Sequence, residues 1–150
     1  MVSQGDFFLD IGANVGSYSV CLMDLTHNII SFEPHPFTAG RCKMNFLLNN
    51  FSASSVSQVA LSNSNGLTYF TDKGSSSTTN NIAELGENAN SIEVEMQTLD
   101  NFSLTNQLSL DHDYILKIDV EGHERQLFAG AWGFLTSYRI KGIVFEYFDD

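Results

Sequence analysis

Phe7-Phe8-Leu9-Asp10-Ile11-Gly12-Ala13-Asn14-Val15-Gly16-Ser17 is the stretch on which the fold turns. Phe7, Phe8, Leu9 and Ile11 form a short continuous apolar run closed by Gly12, as in a strand buried on both faces of a parallel sheet. Beyond Gly16 the residues Tyr18, Val20, Cys21, Leu22 and Leu25 recur at helical spacing and His27-Asn28 ends them, so a helix is expected over Ser17 to Leu25. A strand, a glycine turn and a helix in that order make half of a crossover. In open parallel sheets ligands bind at such turns, outside the carboxyl ends of the strands.

Working outward, Ile29, Ile30 and Phe32 read as a second strand stopped by Glu33-Pro34, and Phe37 to Leu48 as a second helix ending at Asn49-Asn50. Val56, Val59 and Leu61 suggest a third strand. Asn65-Gly66 is a tight-turn signal leading into Leu67 to Thr71 and predicts a hairpin excursion there. Lys73 to Asn90 is rich in Gly, Ser, Thr and Asn, with a weak helical stretch near Ile82 to Leu85, and reads as a mobile surface segment. Ile92, Val94 and Met96 alternate with Glu93 and Glu95 as a peripheral strand with one wet face. Tyr114 to Val120 is the fourth core strand. Glu124 to Leu135 is a helix interrupted around Gly130 and Gly133, and Ile140 to Phe148 is the fifth core strand. The βαβα rhythm predicts an α/β fold, a doubly wound, mostly parallel sheet in the order 3-2-1-4-5 with helices on both faces.

With 150 residues, 43% of them hydrophobic, the chain is expected to form one domain over 1-150. Seven Lys plus Arg against eighteen Asp plus Glu give a net charge of -11, which repels phosphate backbones and anionic lipid surfaces. Neither nucleic acid nor a membrane is therefore an expected partner. Cys21 and Cys42 form no C-x-x-C pair and read as reduced core residues. Met1 to Gly5 carries no basic leader and Asp10 interrupts the first apolar run, so a cytoplasmic location is expected. The oligomeric state is open.

Three motifs carry chemistry. In the first, Gly12 lets the backbone turn and a ligand approach, Asn14 tolerates positive φ, and Gly16 lets the helix begin close to the strand. A dinucleotide fingerprint counted from Gly12 wants glycine at Asn14 and Ser17, so a ligand without a pyrophosphate fits better. The second is Glu33, about twenty residues beyond the glycine turn, where a carboxylate can accept both ribose hydroxyl protons. The third is Lys117-Ile118-Asp119-Val120-Glu121-Gly122-His123-Glu124. A lysine in an apolar strand needs a carboxylate neighbour, for which Asp119, Asp10 and Glu146 are the candidates. Lys117 and Asp119 share a strand face, and the predicted order brings Asp119 to the ligand crevice.

Phe8 to Gly16, Ser31-Phe32-Glu33-Pro34 and Leu116 to Glu124 together resemble the FkbM-family methyltransferases. Gln97-Thr98-Leu99-Asp100, Phe128-Ala129-Gly130-Ala131 and Val144-Phe145-Glu146 extend the likeness over nearly the whole chain. The resemblance implies a class I methyltransferase, Rossmann-like fold, with S-adenosylmethionine as cofactor and Asp10, Gly12, Asn14, Gly16, Ser17 and Glu33 as cofactor-binding residues. It also implies methyl transfer to a hydroxyl of a small molecule or carbohydrate. Asp119, His123 and Lys117 are the candidate catalytic residues, with Glu121 weaker. No metal is expected, because Asp119, Glu121 and His123 are too close in sequence to converge on one ion. His27, His35 and His112 read as surface residues. Two departures from the family pattern, a start almost at the first strand and the lack of the final two strands, predict a fragment or minimal variant truncated at its C-terminal edge. The competing readings are a nicotinamide-dependent oxidoreductase, which would share Glu33, and a catalytically silent cofactor-binding module.

Overall fold

The computed structural model describes residues 1–71, 82–83 and 91–145. In chain order the elements are β1 (Phe7–Ile11), α1 (Ser17–Leu22), β2 (Asn28–Phe32), α2 (Pro36–Leu48), β3 (Val56–Ser57), β4 (Ala60–Leu61), β5 (Gly66–Thr71), β6 (Ile82–Ala83), β7 (Ser91–Gln97), α3 (Leu99–Thr105), β8 (Asp113–Ile118), α4 (Glu124–Gly130), α5 (Trp132–Ser137) and β9 (Arg139–Phe145). The main sheet runs β3-β2-β1-β8-β9, with every pairing parallel. This is the predicted order. Tertiary packing explains why the central strands are apolar on both sides: Leu9, Ile11, Phe32, Leu116 and Ile118 face Phe102, Leu127 and Phe134 of α3 to α5. Phe8 and Ile29 face Cys42 and Phe46 of α2. Burying such side chains is the main stabilising term, about 1.5–3 kcal/mol for each large one.

Several expectations change. The third predicted strand divides: Val56–Ser57 pairs with Ser31 and Phe32 in the main sheet, whereas Ala60–Leu61 pairs with Met96 and Gln97. A second sheet, β4-β7-β5-β6, takes it up. The Asn65-Gly66 turn does not close a hairpin onto the preceding strand, because β7 lies between β4 and β5. The Asn65 carboxamide oxygen instead accepts the Thr98 N–H at 2.9 Å. Ile82–Ala83 is a strand antiparallel to Tyr69 and Phe70, not a helical turn; the rest of Lys73 to Asn90 lies outside the described residues, as do Glu146 to Phe148. Cys21 is exposed, and only Cys42 is a core thiol, one that burial pushes up to about 12. His35 is buried rather than on the surface and caps α2, accepting the Thr38 N–H through Nδ1.

Helix α3 was not foreseen. Its cap is Thr98, whose hydroxyl accepts the Asn101 N–H at 3.0 Å. From its first turn the Asp100 carboxylate reaches the start of α5, accepting the N–H groups of Gly133 at 2.9 Å and Phe134 at 2.6 Å. This cross-helix cap satisfies two donors that a helix start leaves unpaired. Asp100→Ala is expected to destabilise the protein by about 2–3 kcal/mol, read as a lowered urea midpoint without a change in slope.

Candidate functional site

Asp10, Ser31 and Lys117 stand opposite one another on three neighbouring strands, Asp10 paired with Ser31 on one side and Lys117 on the other. Register therefore places three polar groups in a row across the sheet. The Asp10 carboxylate has no solvent exposure. One of its oxygens accepts the Ser19 hydroxyl at 2.6 Å, and the Ser19 and Ser31 hydroxyls lie 2.8 Å apart. The other oxygen has no hydrogen bond within the usual limits, but Lys117 Nζ stands 3.4 Å from it. The Lys117 ammonium donates to the Gly12 carbonyl at 2.7 Å, lies 3.5 Å from Asp119 Oδ2 and sits under the Tyr18 ring. Asp10 and Asp119 are thus the carboxylate neighbours the buried cation requires; Glu146 is outside the described residues.

The glycine turn is tied down on three sides. Gly12 and Ala13 both donate to the Phe32 carbonyl at 3.0 and 2.9 Å, and Asp119 N–H donates to Ile11. Asn45 Nδ2 of α2 donates to the Val15 carbonyl at 2.8 Å. Asn14 has φ 52°, a left-handed conformation that asparagine tolerates, and its N–H consequently points at Glu33 Oε2, 2.9 Å away. The other Glu33 oxygen accepts the His35 N–H at 2.9 Å. Burial pushes the Glu33 carboxyl above the ordinary 4.5, against the lowering effect of the His35 and Asn14 amides and of the His35 and Lys117 charges. Each carboxylate oxygen still has a lone pair to offer.

The expected turn is there, with Gly12 at φ 73° and Gly16 at φ 82°, and each glycine has a further reason. A Cβ on Gly12 would stand 1.8 Å from the Asp119 carbonyl oxygen, so the neighbouring strand end also demands the glycine. A Cβ on Gly16 would lie 2.7 Å from Cys42 Sγ and 3.1 Å from Phe46; Gly16 makes room for α2. Ser17 opens α1 on the exposed surface.

A solvent-open cleft lies at the carboxyl edge of the sheet. Gly12, Asn14, Glu33, Asp119, Glu121 and His123 line it together with an apolar wall of Val59, Ala60, Leu61 and Phe70. Of the candidate residues, Gly12, Asn14, Glu33, Asp119 and His123 converge there. Asp10, Lys117, Gly16 and Ser17 are not in its lining; Asp10 and Lys117 lie behind the turn and shape it. His123 stands apart from Lys117's cluster in its bonding: its Nε2 is 2.8 Å from the hydroxyl of Ser62, the residue following the apolar wall. Burial lowers its pKa below the usual 6.5, so it is neutral at pH 7. Sequence reasoning passed over Ser62, Phe70 and the Val59–Leu61 wall, because partners 61 residues apart, Ser62 just past β4 and His123 at the start of α4, leave no local periodic signal. The carboxylate at the second strand end, the open glycine turn and the apolar wall fit a ribosylated adenine cofactor. Among the described residues no group of three His, Cys, Asp or Glu could hold a metal ion, and no helix is long and apolar enough to cross a membrane.

A parallel sheet of this order, with helices on both faces and a cleft at its carboxyl edge, defines the Rossmann-like methyltransferase fold. The methyltransferase FkbM domain matches residues 10–150, and the chain belongs to that family. The crystal structure of methyltransferase FkbM from Methylobacillus flagellatus KT is similar to it, with a TM-score of 0.62 and 14% identity over 95% of this chain. At that identity the likeness is one of fold. This chain spans 33% of the length of that structure's chain. No curated protein matches it.

Proposed function

We propose that the cleft binds S-adenosylmethionine and that the domain serves methyl transfer to a hydroxyl of a small-molecule or carbohydrate acceptor. The observation that carries this reading is the bond between Asn14 N–H and Glu33, which puts the acid of the second strand at the lip of the glycine turn. Glu33 would accept the ribose hydroxyls with its remaining lone pairs, and Gly12 to Asn14 would pass beneath the sugar. Asn14 and Ser17, where a dinucleotide fold needs glycine, argue against a diphosphate ligand. When bound, the cofactor supplies an electrophilic methyl group on a sulfonium. The chain's own work is to align an acceptor oxygen with it and to take up the hydroxyl proton. Asp119 is the residue assigned to the proton, since it lines the cleft beside Gly12 and is 38% exposed at its side chain. Lys117, 3.5 Å from it, would act as a positioning residue that holds the carboxylate against the turn.

The test is calorimetry with S-adenosylhomocysteine and, for comparison, NADH. Glu33→Ala is expected to weaken S-adenosylhomocysteine binding by about 1–3 kcal/mol, the range for a lost hydrogen bond to a charged group. Unchanged affinity, or preference for NADH, contradicts the reading. Acid has two opposite effects here. Because the folded-state pKa of Glu33 is raised, protonation relieves a buried charge, so this group's contribution favours the fold at low pH and is lost as pH rises through that pKa. Cofactor affinity needs the carboxylate and should decline as pH falls through the same range, sooner than an ordinary glutamate would allow.

A further inference from the structure

His123 lines the cleft, and its ring is anchored by Ser62, the residue that follows the apolar wall of Val59, Ala60 and Leu61. Ser62 is 2% exposed, and its N–H donates to the Gln97 carbonyl at 2.9 Å. Its carbonyl packs so closely on α4 that a Cβ at Gly130 would come within 1.9 Å of the oxygen. Its hydroxyl donates to Asn63 Oδ1 at 3.4 Å. Ser62 Oγ lies nearer still to His123 Nε2, at 2.8 Å, where either group can donate; when the hydroxyl turns to Asn63, Nε2–H donates to it and carries the imidazole proton. In that form Nδ1 offers a lone pair, and it has no hydrogen-bond partner among the described residues.

We propose that His123, held by Ser62 in its Nε2–H form, is the residue that reads the polar edge of the cofactor's base, accepting the 6-amino group of adenine at Nδ1 while the apolar wall takes the ring face. This rests on the cofactor reading and moves His123 from the catalytic set to recognition. The direction of the bond makes it selective. A 6-oxo purine presents a lone pair where adenine presents N–H, and sets it against the lone pair of Nδ1. Burial keeps the imidazole neutral at pH 7 and above, so the lone pair is available where binding would be measured.

The experiment compares S-adenosylhomocysteine with S-inosylhomocysteine by calorimetry at pH 8. The intact protein should prefer the adenosyl compound by about tenfold or more, the scale of one hydrogen bond made in place of one left unpaired. His123→Phe, which keeps a ring, and Ser62→Ala, which frees the imidazole, should each cut that preference to about threefold or less, their folding checked by circular dichroism. Nitrogen-15 NMR of the intact protein should show the Nε2–H tautomer at His123. Adenosyl binding with the preference unchanged in both variants, or an Nδ1–H tautomer, overturns the proposal and leaves the cofactor reading standing. Failure of the intact protein to bind either compound removes both.

Discussion

Gly12→Ala should cost about 3–5 kcal/mol of stability, combining left-handed strain with an overpacked contact that neither side can relieve. Gly12 holds φ +73°, and the added Cβ would fall 1.8 Å from the Asp119 carbonyl oxygen and 2.8 Å from its carbon. Both are backbone, and Asp119 is itself fixed by its N–H bond to Ile11. Relief therefore requires β1 and β8 to part at the edge where the cleft lies. For a domain of this size the loss corresponds to a melting temperature lower by about 6–20 °C. Measured at a temperature where the variant remains folded, it should also bind S-adenosylhomocysteine poorly, because the turn that positions Asn14 has moved. A variant that melts within a degree or two of the parent would show that the two strand ends are not in contact.

Asp10→Ala should be of similar size, about 3–5 kcal/mol, but for an electrostatic reason: it strands a buried cation. Lys117 would keep the Gly12 carbonyl and the half-exposed Asp119, and Ser19 would lose its 2.6 Å acceptor. Because Asp10 has no exposure and lies outside the cleft lining, the loss should appear in chemical denaturation. The affinity of the folded fraction should change far less than in Glu33→Ala. A double variant, Asp10→Ala with Lys117→Met, removes the orphaned charge and should recover part of the loss. If Asp10→Ala instead leaves the denaturation midpoint untouched and abolishes binding, Asp10 is a ligand-contacting residue and its placement here is wrong.

Residues whose signal is local were legible in the sequence. Phe7 to Ile11 followed by Gly12 could be read as a buried strand and its turn, since buried parallel strands are apolar throughout. Glu33 could be placed by its distance from that turn. The strand order followed from the alternation of strands and helices, and with it the convergence of Asn14, Glu33 and Asp119 on one edge. What escaped depended on distant partners. Val56, Val59 and Leu61 look like one strand because an apolar run does not record which sheet it joins, and only pairing with β7 draws Ala60–Leu61 away. Asn65-Gly66 has the composition of a hairpin turn, yet its neighbour in space is decided by Ser91–Gln97. A second purpose of Gly12 and Gly16 left no local trace for the same reason: each also makes room for a segment far along the chain, Asp119 in one case and α2 in the other. His123 was grouped with Lys117 and Asp119 by proximity in sequence, whereas its bonding partner is Ser62.

The most direct measurement is a crystal structure of the protein soaked with S-adenosylhomocysteine. The ribose hydroxyls should lie on the Glu33 carboxylate, with the base against Val59 to Leu61 and the sulfur toward Gly12 and Asp119. A ribose bound away from Glu33, or a ligand excluded from the cleft, would contradict the account.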